Sequence, residues 1–464
     1  AVVGFLLGGA CAYFAWTKRD KRLTRFTAWG AGLLALSCVV GMELQNNGTL
    51  RLGVDVIARS AVCWLGLSVL GTSVFACMLR FGGRWLKRVQ DGGVGQALEH
   101  AFPISRHRLF WTAWVVILLC WTPVWLAYFP IVGNYDLASH VAQCVSGEYN
   151  TMHPLLYTLL MKGFLLLGGE RHELSMALLA IFQMLCLSAS LAHAVAAMRR
   201  YGARAWLCVL AVLYCAAFPV FPLMAISSTK DVLFSTLALL LAVELYAMLR
   251  EPTLYLRSPA RVATYLAAGT GMGLLRYNGV VSLALYAAGF SLLWRGSEPF
   301  RTSRRVRGTA LALMAGVLLL CFGGTKLLNA ATDASPSFVT ARDMASLPSQ
   351  QLIRVALSTD DADEYADIMR WYGGETALQR YRPQLADYTK KYIDVDHDNG
   401  WRGFYETWLR VGLRHPKAYV EAFLELNRGL WFADDLSHSN IYVTEDPTFG
   451  YLTNNQVSCE EEGY

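Results

Sequence analysis

Apolar residues fall in blocks of about 20 along the first 328 positions, the length a helix needs to cross the hydrocarbon of a bilayer. The blocks lie near 1–17, 26–42, 60–79, 109–132, 174–197, 204–222, 232–249, 262–275, 278–294 and 308–328. They predict ten spans, the first being either complete or the end of a longer one. Basic residues gather in the short polar stretches between them. Lys18, Arg19, Lys21, Arg22 and Arg25 form one group, and Arg80, Arg84, Lys87, Arg88, Arg106 and Arg108 another. Arg199, Arg200 and Arg204, then Arg250, Arg257 and Arg261, then Arg295, Arg301, Arg304, Arg305 and Arg307 follow. The positive-inside rule puts all of these loops in the cytoplasm. Residues 153–169 are a further apolar stretch, short and interrupted by Lys162. If it crossed, Arg199 and Arg200 would land outside. Laid along the outer surface as an interfacial or re-entrant helix, it leaves every basic loop inside.

The block pattern stops at 328, and the composition changes with it. The whole chain of 464 residues is 55% hydrophobic and 16% charged, with mean hydropathy +0.33, which excludes an ordinary soluble domain. Its net charge of +6 hides a split. Residues 1–328 carry 29 Lys/Arg against 13 Asp/Glu, and residues 329–464 carry 12 against 22. A basic membrane body with an acidic aqueous domain fits this split. The basic residues are dispersed between spans, so nucleic acid is not a partner. The expected architecture is an all-α polytopic membrane protein in three parts. Residues 1–108 hold the N-terminal spans and a basic cytoplasmic loop. Residues 109–328 form a transmembrane core with an outer first loop at 133–172. Residues 329–464 form a mostly helical extracytoplasmic domain. No C-x-x-C pair occurs among the 11 cysteines, so a cysteine zinc or redox motif has no support.

Four polar elements fall on the predicted outer side. Tyr135-Asp136 lies just past the span 109–132, with His140 and His153 downstream. An acid placed near a bilayer is costly and commonly functional. Asp136 can take the proton of an attacking hydroxyl; it can also cap the helix that starts at LASHVAQCV. His153 either joins the site or starts a helix with Pro154. The second element is the turn Ser227–Asp231, where Lys230 can neutralise a phosphate and Asp231 can orient it or bind the acceptor or a metal. A capped helix start with a snorkelling lysine is the other reading. The third is the turn Arg276-Tyr277-Asn278, whose guanidinium fork matches phosphate oxygens or anchors the helix. The fourth is Gln350, Gln351 and Arg354, with 351 and 354 on one face of a short helix. The alternating Asp394, Asp396 and Asp398 lack the glycine and terminal glutamate of an EF-hand and read as a solvated loop. Aromatic residues from Trp401 to Phe432 either meet the membrane interface, stack on sugars or pack within their own domain; Pro416 divides them between two helices.

In order along the chain, NYD, MHPLLYTLL, SSTKD, LLRYNG, LPSQQLIR and LRHPKAYVEAFLELNRGLWF resemble the GT-C superfamily of polyprenyl-phosphate-sugar glycosyltransferases. They are most similar to a group of bacterial GT-C-like membrane proteins. The resemblance covers roughly 109–445. It implies that Asp136 is the catalytic acid of the first outer loop and that Lys230 and Arg276 hold the donor phosphate. Tyr135, His153, Asp231, Asn278, Gln350, Gln351 and Arg354 are the remaining candidates for substrate contact. Many relatives carry two adjacent acids in the first loop and further spans after the outer domain. Here Tyr135 precedes Asp136 and the next acid is Glu148, so no metal ligand set is assigned and a divalent metal has no support.

The expected function is therefore an inverting glycosyltransferase of the cell membrane. Its donor is a polyprenyl-phosphate-linked sugar, and its acceptor an extracytoplasmic glycan, lipid or protein. A lipid-linked glycan polymerase or ligase needs the same groups. A lipid or sugar transporter would instead place ionisable residues mid-membrane in repeated, broken helices.

Overall fold

The computed structural model describes residues 21–93, 96, 97, 99, 106–134, 136–396 and 399–432; the predicted span 1–17, Tyr135 and Asp398 lie outside them. Among the described residues the chain is helical, with isolated bridges but no strand. The main helices are α1 (Lys21–Asn47), α2 (Val54–Asp91), α3 (Arg106–Ala127), α4 (Asp136–Ser146), α5 (Leu155–Gly168) and α6 (His172–Arg200). They continue as α7 (Ala205–Ala217), α8 (Val220–Ala225), α9 (Lys230–Arg250), α10 (Pro259–Leu275), α11 (Gly279–Leu293) and α12 (Arg304–Ala331). After these come α13 (Phe338–Met344), α14 (Ser346–Ala356), α15 (Ala362–Met369), α16 (Gly400–Arg414) and α17 (Pro416–Leu426).

Six helices among the described residues, α1, α2, α3, α6, α9 and α12, are long and apolar enough to cross a membrane. The chain is thus an all-α, multi-pass membrane protein. Much of the apolar surface of α1, α2, α3 and α12 is exposed, including Trp29, Trp111, Leu119 and Leu319. Such faces suit the hydrocarbon of a bilayer. The predicted span 204–222 divides into α7 and α8 at Phe218-Pro219, because proline cannot donate to the helix ladder. Helix α5, from the short apolar stretch, has 14 residues. At 1.5 Å per residue it is about 21 Å long, short of the roughly 30 Å hydrocarbon core.

The described residues divide into two compact units, one of 21–93 with 338–432 and the other within 96–337. In the first, α1 and α2 form a hairpin. Gly48 closes α1 at φ +66, a left-handed position that glycine takes without strain. Leu352, Ile353, Trp371, Phe404 and Val411 form the core of residues 338–432. Pro416 starts α17 as its first residue. Trp408 and Tyr419 stack at 6.1 Å, and Trp401 and Phe404 meet edge to face. These aromatics therefore pack within their own domain.

In the second unit, α3 packs on α6, and α9 on α10. Trp121 is fully buried and donates from Nε1 to Cys215 O at 3.0 Å. Helices α10 and α12 approach closely because α10 offers glycines there. A Cβ on Gly273 would collide with Cys321 Sγ, and one on Gly269 with Val317.

Candidate functional site

The site is assembled by one loop-to-turn junction. Val132 N–H donates to Ile226 O, and Ser228 N–H returns the bond to Val132 O, both at 2.9 Å. Buried Ser228 also accepts from Asn134 N–H at 2.9 Å. These bonds clamp the segment after α3 onto the turn before α9. Asn134 stands just before α4, its carbonyl accepting from Leu137 N–H at 2.8 Å. Thr229 caps α9 by accepting from Asp231 N–H at 3.3 Å. The result sets the first residue of α4, Asp136, against the first residue of α9, Lys230.

Lys230 Nζ lies 2.5 Å from Asp136 Oδ2, with side chains 9% and 14% exposed. The other carboxylate oxygen, Oδ1, lies 3.6 Å from His153 Nε2. Lys230 Nζ also stands 3.4 Å from His153 Nδ1. Among the described residues, no backbone N–H of α4 donates to Asp136, so the carboxylate is not spent as a cap. Burial raises the Asp136 carboxyl. The Lys230 hydrogen bond and charge, with His153 and His140, outweigh that and hold it below the ordinary carboxylate range. It is ionised at neutral pH.

His140 sits one turn after Asp136 on the inward face of α4, which also buries Leu137 and Gln143. It is fully buried, and its Nδ1 is 2.8 Å from Thr158 Oγ1. Its Nε2 has no hydrogen-bond partner. Burial, with His153 and Lys230, drives its pKa down to about 3, so the ring is neutral. The His140 and His153 rings lie 4.9 Å apart. One ligand atom each from Asp136, His140 and His153 falls within a common 4.8 Å, a grouping able to hold a metal ion.

A polar layer supports this cluster from within the bundle. Buried Gln183, in the middle of α6, donates to Ala225 O at 3.2 Å and Ser227 O at 2.7 Å. Its Oε1 accepts from Tyr157 OH at 3.1 Å. Gln183 and Thr158 were not among the sequence candidates. A lone glutamine inside the apolar run of α6 was the available signal, since a buried amide must find partners.

Next along α9, Asp231 Oδ1 pairs with Arg276 Nη1 at 2.9 Å, both side chains two-fifths or more exposed. Lys230 and Arg276 were expected to face one phosphate together. Each holds a carboxylate of its own here, so the formal charges of Asp136, Lys230, Asp231 and Arg276 cancel. Asn278 is exposed at the start of α11. Tyr135 lies outside the described residues.

The remaining candidates are in the other unit and serve its interior. Gln350 is fully buried and donates to Arg382 O at 3.1 Å. Gln351 donates to Tyr419 O at 3.0 Å and accepts from Trp408 Nε1 at 2.7 Å. Arg354 pairs with Glu421 at 2.8 Å. Gln351 and Arg354 thus hold helices together, while Gln350 Oε1 has no hydrogen-bond partner among the described residues.

Comparison with family models, with curated proteins and with solved structures finds no match to this chain.

Proposed function

We propose that this chain is a membrane glycosyltransferase that moves a sugar from a polyprenyl-phosphate carrier to an extracytoplasmic glycan, lipid or protein. The observation that carries it is the buried Asp136–Lys230 pair, with His153 against it, at the start of a helix long enough to span the membrane. An ion pair so placed is expensive to keep unless it does chemistry. The neighbouring Arg276–Asp231 pair is exposed and worth little on its own. A donor phosphate can therefore take the Arg276 fork at small cost, while Lys230 keeps Asp136 ionised. Sugar transfer passes through an oxocarbenium-like state in which the leaving phosphate gains charge early. Arg276 and Lys230 offset that charge. The acceptor hydroxyl attacks from the opposite face and loses its proton late, so a weak carboxylate base suffices. Asp136 takes that proton, and configuration inverts.

Purified protein in liposomes, given a panel of radiolabelled polyprenyl-phosphate sugars and a cell-envelope acceptor extract, should form labelled product. Asp136→Asn should lower turnover about 100-fold or more, the scale of a lost general base. Near-normal transfer by Asp136→Asn would remove Asp136 from the chemistry. The side of the membrane is tested in intact cells with an impermeant thiol reagent. In a cysteine-free background, Asp396→Cys should label and Arg257→Cys should not; the reverse pattern sinks the extracytoplasmic placement.

A further inference from the structure

We propose that Asp136, His140 and His153 form a binding site for one divalent first-row metal ion of the zinc class. The three residues bring one ligand atom each within a common 4.8 Å, close enough for small side-chain shifts to close on an ion. Two imidazoles and one carboxylate are a donor set suited to zinc-like ions, and three protein ligands leave a position open. His140 is the strongest pointer. It is fully buried, and its Nε2 lacks a hydrogen-bond partner. A buried polar atom left unmet is costly, and a metal ion repays that cost. The other ring nitrogen, Nδ1, meets Thr158 Oγ1 at 2.8 Å. That outer contact fixes the ring and leaves Nε2 as the donor, as metal-binding histidines require. Asp136 is prepared in the same way: Lys230 holds Oδ2 at 2.5 Å, so Oδ1 is turned to His153 Nε2. Lys230 has a second effect. Its ammonium beside the carboxylate repels a cation, so it weakens the site as well as orienting it. An ion here adds two positive charges to a cluster whose four formal charges otherwise cancel, giving it a net attraction for an anionic oxygen.

The site stands on this geometry and does not depend on the transferase assignment. It is tested with zinc alone on purified, chelator-stripped protein, by titration calorimetry and elemental analysis. The d–d spectrum of bound cobalt(II) reports the ligand set. One ion per chain should bind. His140→Gln and His153→Gln should each weaken zinc binding about 100-fold or more, and Thr158→Val about tenfold, the lower range for loss of an outer partner. Lys230→Met should strengthen it. His193→Gln should leave it unchanged, since His193 pairs with Glu244 elsewhere, at 3.3 Å. Should buried His140→Gln fail to fold, His153→Gln and the cobalt spectrum decide. Three outcomes overturn the proposal: no ion in the wild-type protein, zinc binding unaltered by His153→Gln, or binding that appears only in Lys230→Met. The last would make Lys230 the resident cation of the cluster.

Discussion

Two buried ion pairs, one taken from each unit, differ in how completely they are satisfied. In the first unit Glu421 pairs with Arg354, side chains 5% and 11% exposed. Glu421 also accepts from Thr49 Oγ1 and Leu50 N–H, both at 2.7 Å. Arg354 reaches it through both Nε and Nη2, at 3.1 and 2.8 Å, and also donates to Gly48 O. These bonds fasten the α1–α2 turn to helices α14 and α17. Nothing there is left for a ligand. In the second unit Asp136 and Lys230 are equally buried, but imidazoles surround them and His140 Nε2 is unmet. A saturated network stabilises what it joins; an unmet buried group such as His140 Nε2 carries a cost that a ligand would remove.

The comparison makes its largest prediction for the saturated pair. Glu421→Ala leaves Arg354 charged and buried, and should cost about 3–5 kcal/mol in unfolding of the detergent-solubilised protein. A loss under about 1 kcal/mol would class it with exposed pairs. Asp136→Asn should lose stability too, because Lys230 keeps its charge. The double change Asp136→Asn with Lys230→Met should regain that stability yet remain about 100-fold impaired in sugar transfer. Recovery of activity in the double variant would reduce the second pair to the role of the first. Arg276→Ala should barely alter stability, because its pair is exposed, but should weaken donor binding by about 1.5–3 kcal/mol, the value of a charge-assisted bond. Unchanged donor affinity would detach Arg276 from the site.

The smallest effect is on pH. Burial raises the Glu421 carboxyl, but Thr49, Arg354 and the Leu50 N–H together hold it below its ordinary value. A carboxyl depressed in the folded state adds stability that is complete above its unfolded value. That stability is lost as pH falls through the folded value. Below about pH 5, the wild-type melting temperature should therefore fall more steeply than that of Glu421→Gln. Parallel curves would show that Glu421 does not govern acid stability.

Much of the fold was legible in the sequence because hydropathy is a local property. The apolar blocks at 26–42, 60–79, 109–132, 174–197, 232–249 and 308–328 each coincide with a helix long enough to span. Pro416 marked the break between α16 and α17, because a missing N–H acts on its own helix. The proline pair at 219 and 222 carried the same signal, yet the length of the apolar run around it hid the break between α7 and α8.

The candidate site was legible as a set of residues but not as a set of partners. Asp136, Lys230, Asp231 and Arg276 all stand where α4, α9 and α10 begin or end. Lys230 meets Asp136 across 94 positions of chain, and Arg276 pairs with Asp231. That choice rests on the Val132–Ser228 junction, which no local pattern announces. Gln350 and Gln351 show the converse. On their own helix they read as open hydrogen-bonding groups, but their acceptors lie 32 and 68 positions away. Periodicity is set by neighbours along the chain, so the sequence determined where helices form and which polar groups stand near their ends. Charge pairing and burial are set by what chain closure brings together, so only the tertiary structure decided which groups are satisfied and which, like His140 Nε2, are left with an unmet need.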